Sequence, residues 1–220
     1  MEVLSTVHKL NIIVHVTAGS LALIVGLVAI VVKKNSRLHR RAGRVFLWLM
    51  SVVILTGLIG VFIFGRNTFL LVITVMSGYL AFSGYRAIRL KSNHFNFLNI
   101  FVSLAALATV SYFLYYFKSI GMIWSPVIIY STVGYLFLIV GYDLIRYFIP
   151  SKAYANLWIH EHILKMVSAF TGLLSAFSGT VFPQYQPYSQ FMPSILGTLV
   201  AIGFMVVVAR KKLFNLSVNA

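Results

Sequence analysis

The chain has 220 residues, 60% of them hydrophobic and only 10% charged, and its mean hydropathy is +0.93. Water-soluble domains carry roughly 25% charged residues, so the composition excludes a soluble globular fold. The formal charge of +15 arises from 18 Lys and Arg against three acidic residues, and there is no cysteine; disulfides and thiolate metal sites are therefore excluded.

The cations stand in short clusters between long apolar runs. That pattern fits a lipid bilayer as partner, with a basic surface against anionic lipid, and requires no nucleic acid. Seven runs approach the ~20 residues that cross a bilayer: about 9–32, 45–64, 69–88, 96–117, 126–148, 158–182 and 191–209. With short connections between them, they predict an all-α, polytopic fold, a single transmembrane helical domain over residues 1–220. The N-terminal "MEVLSTVHKL" has no basic leader region, so the first run is expected to be a retained helix.

Span 1 carries His15 about two turns inside the membrane, on one face with His8, Gly19 and Gly26. It reads either as a neutral histidine bonded to a neighbouring helix or as a proton or ligand site on the outer side. The following basic cluster sets the orientation. With the N-terminus outside, fourteen Lys and Arg fall in the cytoplasmic segments around 33–44, 86–91, 146–152 and 210–212, against Lys9, Arg66 and Lys118 outside. The positive-inside rule then gives an N-out, C-in topology, expected in a bacterial cytoplasmic (inner) membrane. His39, at the cytoplasmic start of span 2, lies five helical turns from Gly57 and shares its face.

Spans 3 and 5 contain similar segments, "GYLAFSGYRAIR" (78–89) and "GYLFLIVGYDLIR" (134–146), which raise the possibility of a helix-hairpin repeat. Tyr79, Tyr85, Tyr135 and Tyr142 read as internal. Asp143 is expected to pair with Arg146 one turn away, or with Arg86 at the equivalent repeat position. His94, in "KSNHFN" before span 4, reads as a solvated loop residue or a reserve ligand. Gly57, Gly78, Gly134 and Gly172 are expected at helix–helix contacts, because small residues allow close approach in lipid.

Span 6 opens with "LWIHEHILKM" (157–166). Glu161, Lys165, Ser168, Gly172, Ser175 and Gly179 form a small, polar stripe at helical spacing, expected to face protein. Glu161 and Lys165 are an i, i+4 pair of favourable polarity. His160 and His162 flank the stripe about 100° to either side, and His162 is the better ligand candidate. His39, His94 and His160/His162 all lie at the cytoplasmic membrane level.

The "LHRRAGR" segment (38–44), "VHVTAGS" (14–20) and the W-x-x-x-H-x-x-x-M pattern at 158–166 resemble an uncharacterised bacterial family of predicted multi-pass membrane proteins, for which no activity can be carried over. More distantly, histidines on neighbouring helices are similar in architecture to transmembrane b-type cytochromes. That similarity implies at most one haem, at the cytoplasmic side, because the outer half offers only His8 and His15, both on span 1.

No H-E-x-x-H, G-x-S-x-G, Walker or G-x-G-x-x-G motif occurs, so the common hydrolase and nucleotide-binding templates lack support. Three readings stay open. One is a membrane redox protein with haem b or another metal held by His39 and His162, its electron partner unassigned. A second is a metal-dependent intramembrane enzyme using a transition metal such as zinc on His39, His94, His162 and Glu161. The third is a non-catalytic transporter or interaction protein in which His15, Asp143, Glu161 and Lys165 contact protons or substrate.

Overall fold

The computed structural model describes residues 2–65, 69–119, 121 and 126–218; Arg66, one of the three cations expected outside, lies beyond them. Eight helices follow in order: α1 (Glu2–Val31), α2 (Arg37–Phe62), α3 (Phe69–Leu90), α4 (Phe97–Ser119), α5 (Pro126–Ile145), the single turn α6 (Ser151–Tyr154), α7 (Leu157–Val181) and α8 (Tyr188–Val218). No strand occurs among the described residues. Seven helices, all but α6, are long and apolar enough to cross a membrane. The chain is an all-α, multi-pass membrane protein, as its composition requires. In lipid, a helix satisfies its backbone polar groups within itself.

The distribution of side chains is inverted relative to a soluble protein. Trp48, Leu138 and Phe101 point outward, while Asp143, Arg146, Glu161 and Lys165 are buried. Lipid tails accept the apolar side chains without penalty, whereas ionised groups need partners inside the bundle.

The helix α7 is central, packed against α3 and α8 along much of its length and touching α1. One apolar cluster joins Leu80, Val110, Leu136 and Val140 of α3, α4 and α5 to Ala169 of α7. A second joins Ala22 of α1, Phe46 and Met50 of α2, and Phe170 and Leu173 of α7. Helix α5 packs on α3 and α4 but makes almost no close backbone approach to α7. Polar side chains bridge the space between them.

Close approach depends on a few glycines. A Cβ at Gly26 would lie 2.6 Å from the Phe170 ring, and one at Gly84 would lie 3.0 Å from Lys165 Cβ and 3.1 Å from Met166 Sδ. Gly57, Gly78 and Gly172 face Thr74, Ile54 and Ser77 respectively, as expected of contact residues. Gly134 departs from that expectation, since a Cβ there would meet nothing within 4 Å; its face of α5 turns away from the neighbouring helices.

Two other readings need correction. Span 2 begins at Arg37, well before 45: Ser36 caps the helix by accepting from the His39 amide at 3.0 Å, so the basic 38–44 segment forms its first turns. The cations project from a helix end rather than a loop, a geometry that periodicity of apolar residues alone cannot reveal. Tyr85 is 39% exposed, whereas Tyr79, Tyr135 and Tyr142 face inward. It carries its ring beside Arg89 at the end of α3, where an amphipathic side chain is at home.

Candidate functional site

The polar stripe of α7 meets the end of α5. Lys165 Nζ donates to Asp143 Oδ1 at 2.5 Å and to Glu161 Oε2 at 3.4 Å. Arg146, in the 3-10 turn that continues α5, donates to the same Glu161 oxygen at 2.5 Å and lies 3.6 Å from Asp143 Oδ1. Two carboxylates and two cations thus form a closed quartet of zero net charge. All four are at least 95% buried, with exposures of 4% for Asp143, 3% for Arg146, 5% for Glu161 and 1% for Lys165. Lys165 lies eight residues into α7, roughly 12 Å along its axis at 1.5 Å per residue.

Tyrosines complete the site. Tyr79 of α3 donates to Asp143 Oδ2 at 2.6 Å, and Tyr142 donates to Glu161 Oε1 at 2.7 Å. Every carboxylate oxygen therefore has a donor. Tyr154 of α6 accepts from Arg146 at 3.2 Å. Its phenol stands outside the spans, and burial, together with the Glu161 carboxylate, pushes its pKa far above the usual tyrosine value; it is neutral at physiological pH. Asn93 then fixes the chain turn after α5, donating to the carbonyls of Arg146 at 2.9 Å and Ile149 at 2.5 Å.

The pairing of Asp143 resolves the alternatives left by the sequence. Arg146 is in ion-pair range, Lys165 is closer, and Arg86 is engaged elsewhere, donating to Asn99 and Asn96 of the α4 start at 2.8 Å each. Glu161 and Lys165 do form their i, i+4 contact. The central role of Arg146 and the three tyrosine contacts were not foreseen. One sequence signal pointed there: two of the three acidic residues of the chain fall within membrane spans, and each must find a cation.

A small cavity of about 10 Å³ adjoins the quartet, lined by Tyr79, Ser83, Arg86, Asn99, Asp143 and Arg146 among others. Three buried polar atoms around it, Ser83 Oγ, Asn99 Nδ2 and Arg146 Nε, have no hydrogen-bond partner among the described residues. A larger cavity of about 230 Å³ lies further along α7, between α3, α5 and α8.

The histidines are dispersed in role. His39 Nδ1 donates to the Ala29 carbonyl and His162 Nδ1 to the Gly84 carbonyl, each at 2.9 Å; a carbonyl partner fixes the proton on Nδ1 and leaves Nε2 as the basic nitrogen. The two imidazoles lie within electrostatic range of each other. His94 is exposed. His160 Nδ1 donates to the Asn156 carbonyl at the start of its own helix. His15 Nδ1 lies 2.9 Å from Thr56 Oγ1, the helix-to-helix bond that was one of its two readings. No group of three or more His, Asp or Glu suited to a metal ion occurs among the described residues. His39, His94, His162 and Glu161 do not form a common site: His94 faces outward, and both Glu161 oxygens are taken by Tyr142, Arg146 and Lys165.

Comparisons with family models, with curated proteins and with solved structures give no match.

Proposed function

We propose that this protein is a proton-linked transporter of the bacterial cytoplasmic membrane, with the Asp143–Arg146–Glu161–Lys165 quartet as its coupling centre. One observation carries the reading: a buried, charge-neutral quartet stands between two helices, α5 and α7, whose backbones make almost no close approach. Buried ionisable groups are expensive in a bilayer and mark proton or ion pathways by default. A quartet that only held the helices together would be replaceable by apolar packing, frequently with a gain in stability.

The chemistry follows from the charge count. Protonation of Asp143 or Glu161 removes one negative charge and leaves the site with a net positive charge. The attraction that holds Lys165 to α5 falls, and the charged contact between α5 and α7 weakens. Loss of that proton restores the latch. A proton thereby biases the separation of two helices, which is what coupling to a transport cycle requires.

Infrared difference spectra of the purified protein in lipid vesicles test this directly. As the buffer is lowered from neutral to acidic pH, a protonated-carboxyl stretching band should appear and should be lost in Asp143→Asn or Glu161→Gln. Absence of the band in the wild-type protein across that range would leave the quartet permanently ionised and sink the reading.

A second reading rests on a different observation. His39 and His162 each anchor Nδ1 on a backbone carbonyl and lie in electrostatic range of each other. A carbonyl on the distal nitrogen is the usual support of a ligating imidazole. A haem b iron takes two axial ligands, the number these histidines could supply, whereas a zinc ion takes about three or four protein ligands. A Soret band in the purified protein, abolished by His162→Ala with the melting temperature retained, is the expected result on this reading. A colourless preparation after expression with added haem removes it.

A further inference from the structure

We infer that the 230 Å³ cavity between α3, α5, α7 and α8 is a water-filled vestibule through which the outer side of the membrane reaches the charged quartet. Its role as a route rests on the quartet being a proton site; its hydration does not.

The lining carries the argument. Ser168, Thr171 and Ser175 of α7, Ser194 and Thr198 of α8, and Tyr135 of α5 contribute hydroxyl groups. None of the lining residues is charged, which disfavours an ion as occupant and favours water. Cavities lined only by apolar groups stay dry; this one is apolar over most of its surface but carries hydroxyl groups that anchor water. At about 30 Å³ per water in the liquid, the volume corresponds to several molecules, on the order of eight. Gln190 supplies a second sign of an occupant: its buried Oε1 has no hydrogen-bond partner among the described residues.

Position links the cavity to the quartet. Ser175 and Ser194 face each other at 3.0 Å in its outer part. Deeper in, the Tyr135 hydroxyl lies 2.7 Å from Ser168 Oγ, joining α5 to α7. Ser168 is three residues beyond Lys165, roughly 4.5 Å along the helix axis. On the opposite side, the 10 Å³ cavity carries the partnerless Ser83, Asn99 and Arg146 atoms. The quartet thus stands between two polar spaces, the outer one large and the inner one with room for about a single water. The small residues on the α7 stripe leave room for the outer space: a bulkier side chain at Ser175 would intrude on it.

The absence of native cysteine permits a direct test in the full-length protein. Ser175→Cys, Ser194→Cys and, as a control, Ala108→Cys on the exposed side of α4 are each expressed in cells. A membrane-impermeant, positively charged methanethiosulfonate is added from outside. The thiolate, which forms only where water reaches, attacks the reagent's sulfur, forming a mixed disulfide and expelling methanesulfinate. The vestibule requires both serine-derived cysteines to be modified at least tenfold faster than Ala108→Cys, with melting temperatures equal to that of the parent protein. Reaction of either cysteine at the control rate, or only when reagent is supplied from the cytoplasmic side, overturns the proposal. Labelling without the infrared band would retain the vestibule and discard the proton site; the reverse result would do the opposite.

Discussion

Lys165 Nζ of α7 lies 2.5 Å from Asp143 Oδ1 of α5, and this contact spans two helices whose backbones are held apart. The two residues are 22 positions apart in the chain. Neither has a second ion-pair partner of equal quality: Lys165 also reaches Glu161 only at 3.4 Å, and Asp143 meets Arg146 only at 3.6 Å.

Removing one member leaves a buried charge uncompensated. Lys165→Met is therefore expected to destabilise the protein by about 3–5 kcal/mol, the usual effect of breaking one side of a buried pair. Lys165→Met combined with Asp143→Asn should recover a large part of that loss, because no net charge is then left behind. Thermal unfolding in detergent, read as a double-mutant cycle, checks both statements. Additive losses would show that the two residues do not act as a pair.

The glycines divide into two groups. Leu at Gly26 or Gly84 must displace Phe170 and Phe46, or Lys165 and Met166, and overpacking of this kind costs about 1–3 kcal/mol. Leu at Gly134 or Gly141 meets open space and should leave the melting temperature unchanged. A fluorescence-detected thermal shift on the four variants separates the groups, and equal losses in all four would contradict the helix placement.

His15 offers a milder test. Thr56 Oγ1 has the Val52 carbonyl at 2.7 Å as well as His15 Nδ1 at 2.9 Å. Thr56 keeps a partner when His15 is lost. His15→Phe should thus cost only about 0.5–1.5 kcal/mol, the net worth of one hydrogen bond, and Asn11, which donates to the Thr56 carbonyl at 3.1 Å, should keep α1 on α2. Unfolding at growth temperature would assign His15 a larger role.

Topology can be read independently of stability. By the positive-inside rule, the excess of Lys and Arg near the ends of α1, α3 and α5 and the starts of α2 and α7 predicts that those ends face the cytoplasm. A C-terminal green fluorescent protein fusion should fluoresce, and a C-terminal alkaline phosphatase fusion should be inactive. The opposite pair of results would invert the bundle and turn the 230 Å³ cavity toward the cytoplasm.

Much of the architecture was legible in the sequence because its causes are local. Apolar run length fixes how many helices cross the bilayer, and the i, i+4, i+7 recurrence of Glu161, Lys165, Ser168, Gly172, Ser175 and Gly179 fixes one polar face on α7. Periodicity identifies a face but not what that face meets. Only the tertiary structure decided that Lys165 meets Asp143, that Tyr79 reaches the same carboxylate from 64 residues away, and that Arg146 closes the quartet through Glu161. The same limit explains the glycines: Gly84 and Gly134 both sit in Gly-Tyr helices, yet α7 packs against one and nothing packs against the other. It also explains Arg37, since the Ser36 cap rather than hydrophobicity decides where α2 begins. Spacing along one helix is set by its own geometry, whereas partnership across the bundle is set by how seven helices share a limited volume in lipid.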